Sequence, residues 1–184
     1  MRVIAGSAKG TKLFAPDHSG LRPTTDRAKQ VLFDTLLPIM ALPDFIVDLF
    51  AGTGALGIEA LSRGAKQAVF VEKSTKTLNY LNRNLDKTHL RSKATVFCSD
   101  AFVFLKQERM QTIELAFADP PYGTADAPKL LSLFAKNDAF VAGAILVLEE
   151  SSRFVPQPDD EIELLTEKRV GDTKLFFKKK KKIA

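Results

Sequence analysis

Four short apolar segments of this chain run into a carboxylate. Phe45–Phe50 contains Asp48, Ala68–Val71 meets Glu72, Thr95–Cys98 stops before Asp100, and Ile113–Ala118 stops at Asp119. Between them lie segments of helical pattern: Ala55–Arg63, closed by Gly64, then Ser74–Lys87 and Ala101–Gln107. Ala127–Ala135 reads as a further helix and Ala144–Leu148 as a fifth buried strand. Strands that alternate with helices must be joined by crossovers, so this order predicts an α/β, doubly wound, mostly parallel Rossmann-like sheet. Glu161–Leu165 and Lys174–Phe177 have no helix between them and predict a C-terminal antiparallel hairpin. Ahead of the alternation, Arg2–Ala5 and Thr11–Phe14 flank Gly6–Gly10 and predict a small N-terminal hairpin. A helix follows from Thr24, with Ala28, Val31, Leu32, Leu36 and Ile39 on one face.

With 184 residues and no long linker or repeat, the chain is expected to be one domain over 1–184. Residues 1–23 form its hairpin extension and 178–184 a basic tail. The longest apolar run, Ala139–Leu148, is half of the about 20 residues a bilayer requires, and Met1–Phe14 lacks the apolar core of a signal peptide. Together with the single cysteine, Cys98, placed in an apolar stretch, this predicts a cytoplasmic protein without membrane contact, and a monomer is expected. The net charge of +5 is unevenly spread. Residues 1–30 hold six basic and two acidic side chains, residues 178–182 are all lysine, and the body between is mildly acidic. That distribution excludes a uniformly basic DNA-coating protein and leaves basic ends available to a polyanion.

Gly52-Thr53-Gly54-Ala55-Leu56-Gly57 has the G-x-G-x-x-G spacing between a strand and a helix, with Glu72 twenty residues after Gly52, where a ribose-binding acid belongs. The spacing alone would suit a dinucleotide. Asp48 opposes it, because a pyrophosphate at ~4 Å from a carboxylate costs up to about 4 kcal/mol at an effective dielectric near 20. A ligand with an ammonium and a sulfonium but no phosphate reverses the sign, and S-adenosylmethionine is such a ligand. Gly52, Thr53 and Gly54 then allow close backbone approach, Glu72 accepts from the ribose hydroxyls, and Asp100 with Ala101 meets the adenine edge. Asp100 is equally suited to cap the following helix.

Asp119-Pro120-Pro121-Tyr122 is a corner with two backbone donors removed and φ fixed at both prolines. A base amino group is a weak nucleophile because its lone pair is delocalised. The Asp119 carboxylate and the Pro120 carbonyl can accept its two N–H bonds, orient the lone pair and stabilise the charge that develops, while Tyr122 stacks on the base. This chemistry requires no metal, and neither His18 nor His89 lies near the motifs.

On Asp48-Leu49-Phe50-Ala51-Gly52-Thr53-Gly54 and Asp119-Pro120-Pro121-Tyr122 the chain resembles class I methyltransferases of base amino groups. From Arg2-Val3-Ile4-Ala5-Gly6 through Leu21-Arg22-Pro23-Thr24-Thr25-Asp26-Arg27 to the last strand it is similar to the RsmD family, bacterial small-subunit ribosomal RNA guanine-N2 methyltransferases. The resemblance implies methyl transfer from S-adenosylmethionine to a guanine N2 in ribosomal RNA or the assembled small subunit. It implies that Arg22, Thr24 and Thr25 lie beside the cofactor, and that the N-terminal hairpin, through Arg2, Lys9 and Lys12, helps hold RNA. The lysine run is not part of that pattern, and Ala28-Lys29-Gln30 stands where an acidic residue is common. Residue chemistry by itself leaves three other readings open: adenine-N6 methylation of DNA, nicotinamide-dependent oxidoreduction, and nucleic-acid binding without catalysis.

Overall fold

A computed structural model describes residues 1–16, 25–107 and 112–182. Five adjacent parallel strands make up most of one sheet: β1 (Phe45–Leu49), β2 (Gln67–Glu72), β3 (Ala94–Cys98), β4 (Ile113–Ala118) and β5 (Phe140–Ser151). β6 (Ile162–Val170) and β7 (Thr173–Lys180) complete it in the order β3-β2-β1-β4-β5-β7-β6, with β7 antiparallel to both neighbours. The chain winds from β1 outward to β3, then returns to the other side of β1 with β4. The carboxyl ends of β1 and β4 therefore meet at the point where the winding reverses, which is where open α/β sheets hold ligands.

The helices are α1 (Asp26–Leu36), α2 (Ala55–Arg63), α3 (Thr75–Lys87), α4 (Ala101–Phe104) and α5 (Asp126–Lys136). They bury the two faces of the sheet separately. Phe33, Leu56 and Leu81 pack with Phe70, Phe117 and Phe177 on one side. Phe104, Leu130 and Phe134 pack with Leu49, Val71, Leu146 and Phe176 on the other. Neighbours such as Ala116 and Phe117, or Phe176 and Phe177, fall into opposite clusters, as the two-residue period of a strand requires. A central parallel strand is covered on both faces, which is why β4 reads as continuous apolar sequence rather than as alternation.

Several expectations need correction. The N-terminal hairpin has no regular strands: a single antiparallel bridge joins Arg2 and Lys12, and Gly6 and Gly10 take positive φ in the loop. α1 ends at Leu36, leaving Ile39 exposed. α4 is one turn long, and β5 is seven residues longer than the apolar core that announced it. Cys98 is exposed on the edge strand β3 rather than enclosed by its apolar neighbours. The first three residues of the basic tail are strand: Lys178 and Lys179 pair with Leu146 and Ile145 in β5, and Lys178 and Lys180 are buried. Burial lowers the Lys178 pKa, and the Lys180 ammonium donates to the Asn137 carbonyl. Poly-lysine carries no hydrophobic pattern, so strand pairing there comes from the hairpin partners. Among the described residues no helix is long and apolar enough to cross a membrane.

Candidate active site

A cavity of about 300 Å³ opens at the carboxyl ends of β1, β2 and β4. Its wall includes Asp48, Gly52, Thr53, Glu72, Ala101, Asp119 and Pro121, seven of the residues singled out from sequence. The cavity exists because the chain leaves β1 through a tight left-handed turn. Phe50, Gly52 and Gly54 all have φ between 55° and 83°, and the Gly54 amide donates to the Ala51 carbonyl. Gly54 is the N-cap of α2, and a Cβ there would meet Leu81 Cδ1 at 2.2 Å.

The third glycine has a different task. A Cβ on Gly57 would lie 2.3 Å from the Phe70 ring and 3.1 Å from Asp48 Oδ2. With no side chain there, its amide donates to Asp48 Oδ2 at 2.8 Å, joining α2 to β1. Gly57→Ala must therefore move Phe70 or separate α2 from β1. Overpacking of this kind costs about 1–3 kcal/mol, to be read as a lowered thermal midpoint.

Asp48 is 3% exposed. Burial, with Glu72 nearby, pushes its carboxyl up to about 8 in spite of the Gly57 amide. Glu72 is held at both oxygens: Gly52 donates to Oε2 at 2.9 Å and Ser74 to Oε1 at 2.7 Å. Each oxygen retains a second lone pair, so the clamp fixes the carboxylate and still lets it accept from hydroxyl groups. Asp119 follows β4, and the register that pairs Ala118 with Leu148 carries it alongside Glu149 on β5. Burial, then Glu149, Asp48 and Glu150, hold its pKa well above the carboxylate range. This concentration of buried acids is stabilised by a cation and opposed by a phosphate.

The remaining candidates lie elsewhere. Asp100 caps α4, its Oδ1 accepting from Phe102 and Val103. Thr25 caps α1, accepting from the Ala28 amide, and stands outside the cavity wall. Arg22 and Thr24 lie outside the described residues. Gly54 and Pro120 are packed behind the wall. The half-buried Tyr122 directs its hydroxyl inward, 3.2 Å from Glu149 Oε1 and 3.0 Å from Thr173 Oγ1, so β5 and β7 fix its position. Arg2 is exposed but paired with Asp26 at 3.2 Å, whereas Lys9 and Lys12 are exposed.

Sequence reasoning passed over three groups. Glu149 and Glu150 end β5 as the other acids end their strands, so the same rule reaches them. Asn84 on α3 gave no signal. Fully buried, it exchanges hydrogen bonds with the Phe14 backbone at both N–H and C=O and donates to the Thr53 carbonyl. It thus attaches the N-terminal segment to the glycine loop, and Ala15 and Pro16 become part of the cavity wall. The third group is Glu59, wholly buried on α2. It accepts from the Ile4 and Ala5 amides and from Arg63, and lies 3.6 Å from the equally buried Lys29, whose ammonium also donates to the Arg2 carbonyl.

The family model described as Conserved hypothetical protein 95 matches residues 1–179. Over 93% of its length the chain is 37% identical to the ribosomal RNA small subunit methyltransferase D of Haemophilus influenzae, covering 89% of that protein. It belongs to the RsmD family. A solved Escherichia coli structure, yhhF, assigned as a methyltransferase, superposes with a TM-score of 0.83 at 33% identity, covering 98% of each chain. The fold reaches further than the family. An RNA methyltransferase of Salinibacter ruber, solved with S-adenosyl-L-homocysteine, shares it at 12% identity, with a TM-score of 0.65 over 89% of this chain and 97% of that one.

Proposed function

We propose that this RsmD-family protein transfers a methyl group from S-adenosylmethionine to the exocyclic N2 of a guanine in small-subunit ribosomal RNA. The observation that carries the reading is the placement of Asp48, Glu72 and Asp119 around one cavity at the reversal between β1 and β4. The residues fit the cofactor. The buried Asp48 and the half-buried Asp119 favour its cationic groups, Glu72 suits its ribose, and the apolar wall of Leu56, Val71 and Ala101 suits its adenine.

When bound, the cofactor supplies an electrophilic methyl group on a sulfonium. Asp48 faces the cationic portion, and Glu72 accepts from the two ribose hydroxyls. Asp119 and the Pro120 carbonyl accept the guanine N–H bonds, while the Pro121 carbonyl accepts from the Thr124 hydroxyl and fixes the corner. The N–CH₃ bond would form as the S–CH₃ bond breaks and a neutral thioether leaves; Asp119, ionised in the loaded site, would take the proton released from nitrogen and hold it well because its pKa is raised. Tyr122, tethered by Glu149 and Thr173, limits how the base can tilt. Burial and Glu149 hold its phenol protonated.

Labelled-methyl transfer into purified small ribosomal subunits and into their naked RNA tests the reading, with adenine-containing DNA duplexes as the competing substrate. Label in guanine N2 is expected. Label in DNA adenine, or in no nucleic acid, contradicts it. The raised Asp48 pKa adds a pH signature. In the free protein the carboxyl is neutral below about 8, whereas a bound cation favours the ionised form, so binding at lower pH releases a proton. S-adenosylmethionine affinity should rise by at most about tenfold per pH unit, flattening above about 8. Titration calorimetry in buffers of different ionisation enthalpy measures the proton directly.

A further inference from the structure

Two cations share one aromatic ring at the rim of the cavity. The Arg83 guanidinium lies 4.0 Å and the Lys87 ammonium 4.3 Å from the centroid of Phe14. Both side chains are exposed on the last two turns of α3, four residues apart, where like charges repel. Among the described residues neither forms an ion pair with a carboxylate. Asp86, their neighbour in sequence, is exposed and lies within reach of neither for a salt bridge. Phe14 does not wander under these charges, because Asn84 clamps its backbone at N–H and C=O. The same Asn84 amide holds Thr53 of the cavity wall, and Ala15, next to Phe14, is itself part of that wall. The pair is therefore anchored, without a carboxylate partner among the described residues, and set on a ring whose chain neighbour, Ala15, lines the cavity.

We propose that Arg83 and Lys87, set on Phe14, are a phosphate-binding pair that holds the RNA backbone beside the cavity. The sequence directed attention to Arg2, Lys9 and Lys12 in the N-terminal segment, yet Arg2 is neutralised by Asp26. α3 supplies the missing charge, and the N-terminal segment contributes the ring that orders it. A planar guanidinium and an ammonium four residues apart on a helix can engage successive phosphates, and such contacts carry no base specificity. The assignment rests on the proposed RNA-directed activity for its partner, and on the cation–aromatic cluster for its place.

The test is the double variant Arg83→Gln with Lys87→Gln, which keeps most of the side-chain packing and removes both charges. Filter binding of purified small-subunit ribosomal RNA across a salt series should show the log–log slope reduced by about 1.4–1.8 relative to wild type, two counterions' worth. RNA affinity at the lowest salt should fall several-fold. S-adenosylmethionine binding and the thermal midpoint should stay close to wild type. Each single variant should lose about half as much slope as the double; an unchanged slope in the double variant overturns the proposal, and so does a single variant whose slope falls as far as that of the double. An acidic protein partner in place of RNA would leave naked-RNA binding untouched and is rejected or supported by the same series. Failure of the methyl-transfer reading is recognised separately, by wild-type protein that binds RNA with the expected slope but transfers no methyl group to it.

Discussion

Asp119→Ala is expected to lower methyl transfer on the order of 10²–10³-fold while leaving S-adenosylmethionine binding within a few-fold of wild type. The size follows from removing one preorganised group that meets charge as it develops in a site screened from water. The asymmetry between transfer and binding follows from position: Asp119 lies at the β4 end of the cavity, with Asp48 and Glu72 on β1 and β2. Asp119→Asn is the sharper probe. It keeps the shape and one acceptor but cannot take the proton, so its loss should be large in kcat and small in KM for RNA. Burial, with Glu149, Asp48 and Glu150 close by, already holds the wild-type Asp119 carboxyl high. Single-turnover transfer and cofactor titration on the same preparations separate the two effects.

The largest effect on stability is expected at Glu59. Glu59→Leu removes the acceptor for the Ile4 and Ala5 amides and strands Lys29 and Arg63, one fully buried and the other nearly so. Breaking a buried ion pair from one side costs about 3–5 kcal/mol. For a chain of this size that is a fall of roughly 6–20 °C in thermal midpoint. Lys29→Met should cost less, because Glu59 keeps Arg63 at 2.8 Å and both amides. Burial already lowers the Lys29 pKa, so its charge is weakly held. A Lys29→Met midpoint below that of Glu59→Leu would contradict this ordering. Loss of Glu59 should also release the N-terminal segment, to be read as faster proteolysis within residues 1–16.

Periodicity and punctuation made most of the sheet legible before any coordinates. Ile113–Ala118 and Ala55–Arg63 coincide with β4 and α2 because a doubly buried strand and a Gly-closed helix are written in local sequence. Lys178–Lys180 was not legible. Its strand state depends on Leu146, Ile145 and β6, all distant in sequence, and nothing in a lysine run announces a pairing partner. The site divides in the same way. Asp48, Glu72 and Asp119 could be found because strand ends and a glycine loop place them on one edge. Glu149 followed from the same rule, yet its contact with Tyr122 needed the register of β5 against β4 and β7. Asn84 and Glu59 act by holding backbone amides and carbonyls 54 to 70 residues away, besides Thr53 at 31, and a side chain that binds remote backbone leaves no pattern in sequence.

Comparing nucleoside composition of small-subunit ribosomal RNA from cells with and without this gene tests the central claim most directly. The account predicts that one N2-methylguanosine disappears with the gene and returns with the wild-type protein but not with Asp119→Asn. Unchanged N2-methylguanosine, or restoration by Asp119→Asn to the wild-type level, would contradict it.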